Sequence, residues 1–418
     1  MPAQDPSVPS EKGFFLLLFL VNLLSITGIM MVMPMAPALV NSLNMAPEQI
    51  GYLAGGATLL SAIVALLVAP WLDKVARVPL MAMCLVVRSL LLCACGFATN
   101  LEWLFGLYIL AACFSGPIGG LLMAAVVDIT PIQQRGKAMG AMAAALSLAA
   151  VVTVPLALAI SEFYHWRYAF FLFGGIGMAL ALLLPAFAPV SLLAPTQVAS
   201  HDNRKTAFSR LMLLALATVS VQMFGHFLWV PHFASLFQFN FGFSGTLLPA
   251  LFAVAGVISL MMLILCGKWA DQGKGKPILI SASLILVLTL VSWILPLGQS
   301  QLSMALIFVL FSLYMAASSV RSSTTMMLTS EIPAPSQRAG FMAAQDSVSN
   351  LAMGLAAMCG AMLISSNQQS TLVGIEWLSF GAIICVIAAL GFVWRLFSNE
   401  SSGEVNNVQL DAAPVLEQ

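Results

Sequence analysis

The chain has 418 residues, 61% of them hydrophobic and only 8% charged, and its mean hydropathy is +0.99. A soluble globular chain carries roughly a quarter charged residues, so a soluble fold is excluded. Lys plus Arg equals Asp plus Glu, giving zero formal net charge, and no basic tract is present to hold a nucleic acid.

The segment Met1 to Lys12 is polar, and the apolar run after it is longer than a signal-peptide core and lacks a small-residue cleavage site, so it reads as an uncleaved first span. A helix needs about twenty apolar residues to cross a bilayer. Runs of that kind predict spans near 13–36, 48–70, 78–98, 103–127, 137–160 and 167–188. A second set follows near 209–231, 246–267, 277–297, 302–328, 339–364 and 374–397. The expected fold is therefore all-α: twelve transmembrane helices in two pseudo-symmetric six-helix bundles, 1–188 and 209–397. Between them, 189–208 is a proline-bearing polar linker, and 398–418 is a polar, acidic tail with too little apolar surface to fold.

Basic residues set the orientation. Lys12, Lys74, Arg77, Arg135, Lys137, Arg204, Lys205, Arg210, Lys268, Lys274, Lys276, Arg338 and Arg395 fall on one side of the predicted spans, and Arg167 alone falls on the other. Both termini are expected in the cytoplasm. The seven cysteines lie inside apolar runs without metal-ligand spacing and read as small core residues. Neither a metal nor another cofactor is expected. There is no phosphate-cradling G-x-x-x-x-G-K-[ST] and no catalytic constellation, so an enzyme is not expected and any transport would draw on a gradient.

A charged knot, Trp71-Leu72-Asp73-Lys74-Val75-Ala76-Arg77, interrupts the apolar runs after the second span, and Trp269-Ala270-Asp271-Gln272-Gly273-Lys274 repeats it after the eighth. Asp128 and Arg135 are echoed in the same way by Glu331 and Arg338. This duplication, the two sets of six spans and the central linker resemble the major facilitator superfamily of transporters over nearly the whole chain. Pro34-x-x-Pro37 and Ala46-Pro47-Glu48-Gln49-Ile50-Gly51 are most similar to its twelve-span drug/proton antiporter branch. That branch also carries an arginine in the middle of span four and a glycine-proline motif in span five, and both are missing here.

The resemblance implies a cytoplasmic gate formed by Asp73, Arg77, Asp128, Arg135, Asp271, Glu331 and Arg338. In it Asp73 would meet the N-terminus of span eleven and Arg77 would meet Asp128. The competing reading is that these charges only obey the inside-positive rule. The resemblance also implies that spans one, four, seven and ten line a central cavity. Polar groups on those spans become candidate substrate ligands: Asn22, Gln222, His226, Tyr314, Ser318 and Arg321. Arg321 lies about 15 Å above the cytoplasmic end of span ten, and Asp346 about 12 Å up span eleven. The two are at pairing depth. Arg321 would hold an anionic or polar substrate group while Asp346 takes and releases a proton, or the two form a permanent structural ion pair. Arg88, on peripheral span three, reads as structural.

The expected protein is thus a multi-pass monomer in a bacterial inner membrane, working by alternating access. Its partners are the lipid bilayer, protons and a small, partly apolar organic substrate moved outward. A proton-coupled importer of an organic, possibly anionic, solute is the alternative; a non-transporting receptor on the same fold stands behind both.

Overall fold

Within a bilayer core no water is available to bond the backbone, so each apolar run must satisfy its own amides as a helix. The computed structural model describes residues 11–72, 75–131, 134, 138–139, 141–142, 145, 148–193, 209–294, 303–333, 337–368 and 370–400. Most of the expected linker and nearly all of the expected tail lie outside that set. The helices are α1 (Glu11–Met30), α2 (Ala36–Leu43), α3 (Gln49–Leu72), α4 (Arg77–Cys95), α5 (Leu101–Cys113), α6 (Ser115–Ile129) and α7 (Val154–Phe163). They continue as α8 (Trp166–Phe187), α9 (Arg210–Phe227), α10 (Leu247–Trp269), α11 (Gly275–Ile294), α12 (Met304–Ser330), α13 (Arg338–Leu363) and α14 (Ile375–Glu400). A two-residue antiparallel pair, β1 (Ser365–Ser366) with β2 (Leu372–Val373), joins α13 to α14.

Among the described residues, eleven helical stretches are long and apolar enough to cross a membrane. The expected fifth span is only partly described: a π-turn at Ala149–Thr153 leads into α7, and the shorter apolar helix Val151–Phe163 is what remains of it. Large apolar side chains such as Leu67, Leu182, Leu288 and Ile384 face outward, as lipid contact requires. Exposed Trp71, Trp103, Tyr164, Tyr168, Trp377 and Trp394 sit at helix ends, the level where amphipathic rings favour the bilayer interface.

Besides the fifth, three spans depart from the continuous helices expected, and prolines explain all three. A proline cannot donate to the carbonyl four residues before it, and its ring crowds that carbonyl. Pro34 stands four residues after Met30, where α1 ends; Pro117 stands four after Cys113, where α5 ends; Pro231 stands four after Phe227, where α9 ends. The first span therefore bends into turns at 31–35, the fourth is split at Phe114, and the seventh continues through a 3-10 turn at Val230–His232 as far as Asn240.

Buried hydrophobic side chains gather into two large clusters, one drawn mainly from residues 14–192 and the other mainly from 229–386. Helix α3 packs along α13, and α7 with its π-turn packs on α10. The α3–α13 seam is built on missing side chains. A Cβ on Gly51 would lie 2.6 Å from the Ala357 carbonyl, one on Gly55 2.7 Å from the Gly354 carbonyl, and one on Gly354 2.7 Å from the Leu59 backbone nitrogen. Small residues allow this backbone approach, which is how helices gain packing energy where lipid removes the hydrophobic drive between them.

Candidate functional site

The bend after α1 leaves carbonyls to be satisfied. Met33 N bonds to Met30 O instead of continuing the α-helical ladder. Tyr108 on α5 donates its hydroxyl to Gly28 O at 2.9 Å or Ile29 O at 2.8 Å, and Arg88 on α4 donates Nη2 to Ser25 O at 3.0 Å. A Cβ on Gly28 would fall on the Arg88 guanidinium, so glycine makes the seat that the arginine occupies. Arg88 is thus turned inward against α1 and is fully buried. Tyr108→Phe keeps the ring, including its edge contact with Phe170, but removes the hydroxyl. It should cost about 1 kcal/mol of unfolding free energy, measured by denaturation in detergent micelles. An unchanged stability would mean that these carbonyls do not depend on the hydroxyl.

Against this bend lies a cavity of about 70 Å³. Met30, Met33 and Pro34 wall it on one side and Val154 on α7 adds to that wall; His226, Phe233, Phe252 and Met315 close it from α9, the turns after it, α10 and α12. Phe233 also meets Tyr314 edge-on at 5.0 Å and Phe311 at 5.1 Å, which makes this wall aromatic.

At the cavity edge His226 receives two hydroxyls at one nitrogen: Tyr314 Oη at 3.1 Å and Ser318 Oγ at 2.7 Å from Nδ1. A ring nitrogen has one lone pair or one hydrogen, so only one hydroxyl can be fully engaged at a time, leaving the other available to a ligand. Tyr314 and Ser318 are four apart on α12 and therefore share a face. One turn further, Arg321 and Thr325 extend the same stripe, and Thr325 donates its hydroxyl to Gln222 Oε1 on α9 at 2.8 Å. Five of the six expected ligands, Gln222, His226, Tyr314, Ser318 and Arg321, are therefore gathered along the α9–α12 contact. Asn22 stands apart: its amide nitrogen donates to Met142 O at 2.9 Å and ties α1 to the start of the fifth span.

Arg321 is 2% exposed. Its Nε is buried without a hydrogen-bond partner, and the guanidinium bonds to no described residue. Its electrostatic neighbours are Tyr314, His226 and Cys385. A charged side chain at membrane depth costs roughly 2.5–3.5 kcal/mol on insertion scales, and nothing described here offsets that cost with a carboxylate. Asp346 does not pair with it. Instead Asp346 Oδ2 accepts from Asn350 Nδ2 at 3.1 Å, one turn along α13. The Asp346 side chain is solvent-accessible. The two do not meet because α12 and α13 touch only weakly, α13 packing instead along α3 and α9.

Of the expected gate, Arg77 Nε lies 3.1 Å from Asp128 Oδ2. Asp73 and Arg135 fall outside the described residues. Asp271 lies in a π-turn, Ala270–Lys274, that carries Gly273 at φ 81°, and Arg338 opens α13; their side chains also fall outside the described set. Glu331 is exposed just past the end of α12. Sequence reasoning missed Tyr108, Phe233, Phe252, Met315 and the glycine seam. Only the seam had a readable sign, the Gly51-x-x-x-Gly55 spacing in an apolar run.

A family model described as Major Facilitator Superfamily matches residues 18–357. Multidrug resistance protein 1 of Bacillus subtilis (strain 168) is 25% identical over 289 residues, covering 67% of this chain and 73% of that protein. Among solved structures, a bacterial homologue of the human lysosomal transporter Spinster, inward-facing and occupied, superposes with a TM-score of 0.73 at 16% identity, over 94% of this chain and 98% of that one. A D-xylose–proton symporter gives a TM-score of 0.69 at 16% identity, over 90% and 96%.

Proposed function

The chain belongs to the Major Facilitator Superfamily, and from that premise we propose that it is a secondary active transporter exporting a small, partly apolar organic molecule by proton antiport. Two six-helix halves, 1–188 and 209–397, rock about the cavity, with both termini cytoplasmic. On that orientation the glycine seam of α3 and α13 lies toward the outside, and the described conformation is closed there. Arg77 and Asp128, already paired in the described conformation, belong with Asp73, Arg135, Asp271, Glu331 and Arg338 to the cytoplasmic gate, whose contacts between the halves are made in the opposite state. Asp346 carries the coupling proton, from an accessible position among the helices.

The observation that carries this reading is the cavity itself. Met30, Met33, Pro34 and Val154 come from the first half, His226, Phe233, Phe252 and Met315 from the second, so any ligand inside touches both moving bodies. The multidrug resistance relatives support the outward direction. Bacterial cells stripped of their own drug pumps and expressing this chain should accumulate less of some member of a panel of apolar fluorescent compounds, and a protonophore should restore the level. His226→Ala should weaken that export about tenfold, since it removes the group that organises two hydroxyls. Energy-dependent accumulation above the vector control would reverse the direction and make the chain an importer.

A further inference from the structure

We propose that the substrate is an organic anion, a compact carboxylate on an apolar, ring-bearing body, with Arg321 as the residue that selects its charge. This rests on the transporter reading and on the substrate reaching from the cavity, which Met315 and His226 line and Arg321 does not, along α12 to Arg321.

Three other arginines on the described helices have visible work. Arg77 meets Asp128, Arg88 bonds the Ser25 carbonyl, and Arg167 bonds the Ala98 carbonyl with its guanidinium 4.9 Å from the Trp166 ring centroid. Arg321 alone of these four is almost wholly buried with a partnerless nitrogen. Asp346, the acid predicted to neutralise it, is bonded to Asn350 instead. A guanidinium left unpaired in a low-dielectric interior attracts an anion strongly and repels a cation placed in the same space. Its planar fork of donors matches a carboxylate with two parallel bonds.

The surroundings define the rest of the ligand. Tyr314 and Ser318 lie on the arginine's stripe, and since His226 Nδ1 can fully engage only one of their hydroxyls, the other can donate to a carboxylate oxygen. Met315 and the aromatic side chains Phe233 and Phe252 line the cavity beyond them. Met315 precedes Arg321 by six residues on α12, so anionic and apolar ends lie about 9 Å apart along the helix axis. A bicyclic aryl-acetate spans that distance.

Three near-isosteric probes separate the charge states: 2-naphthylacetate, 2-naphthylacetamide and 2-naphthylethylamine. Their binding is read from the thermal stabilisation of the purified full chain in nanodiscs. The carboxylate should half-saturate at a concentration at least tenfold lower than either the amide or the amine. Arg321→Gln should erase that preference, and Arg321→Lys, which keeps the charge but loses the fork, should retain part of it and so guards against a variant that fails to fold. The proposal is overturned if the amide or amine binds as tightly as the carboxylate, if the carboxylate gives no stabilisation at millimolar concentration, or if the preference survives in Arg321→Gln. Flux in proteoliposomes separates this from the transporter reading. Carboxylate binding with no flux under either gradient direction defeats transport and leaves the anion site standing. Gradient-driven flux of the neutral amide that Arg321→Gln does not alter defeats the anion site and leaves transport standing.

Discussion

Gly354→Val is expected to reduce transport by one to two orders of magnitude while leaving a folded, membrane-inserted protein. A Cβ at this position lies 2.7 Å from the Leu59 nitrogen and 2.8 Å from the Leu59 Cα. Those are backbone atoms, which cannot swing aside as a side-chain tip can, so α3 and α13 must move apart along the seam. Overpacking of this kind costs about 1–3 kcal/mol, which depopulates the closed-seam state by roughly 5- to 150-fold. Since alternating access visits that state once per cycle, turnover falls with its population. The matched control is Gly391→Val on α14, where a Cβ meets nothing within 4 Å; it should transport normally. Both are measured as initial flux in proteoliposomes, normalised to inserted protein. Wild-type flux in Gly354→Val would show that the seam need not close.

Asp346→Asn is expected to abolish uphill movement of substrate, at least tenfold below wild type, while downhill equilibration persists. The amide has the shape of the carboxylate and can preserve a contact with Asn350, now 3.1 Å away, but it cannot gain and lose a proton. An ionisable group on a membrane helix that remains accessible to water is the natural proton carrier. Counterflow of labelled substrate without a pH gradient should be near normal, whereas accumulation driven by the gradient should vanish. Persistent uphill accumulation in the variant would remove Asp346 from the coupling step.

The helical membrane class was legible in the chain; which helices pack together was not. Apolar runs of about twenty residues located the helices, because in a bilayer length and hydropathy settle the matter without long-range contacts. His226, Tyr314 and Ser318 were found as polar groups on two predicted lining spans, and they do meet. Arg321 and Asp346 are expected at one depth but do not meet, since counting residues gives height along a helix and says nothing of which helices pack together, and α12 and α13 touch only weakly. Arg88 could be assigned to structure but not to a partner, because its acceptor Ser25 O lies 63 residues away on α1. The bends themselves were written in Pro34, Pro117 and Pro231. They were hidden by hydropathy, which averages across a proline without registering the lost donor. Gly354 could not be matched to Gly55 from sequence either, as their contact joins residues about three hundred positions apart.

Flux of a substrate identified by the naphthyl probe series, measured in proteoliposomes under imposed pH gradients, decides whether the chain exports by proton antiport. With the lumen standing for the outside and made acidic relative to the bath, substrate should accumulate in the lumen above its bath concentration, and collapsing the gradient with a protonophore should release the excess. Accumulation that ignores the sign of the gradient, or no net movement in either direction for a bound ligand, would contradict it.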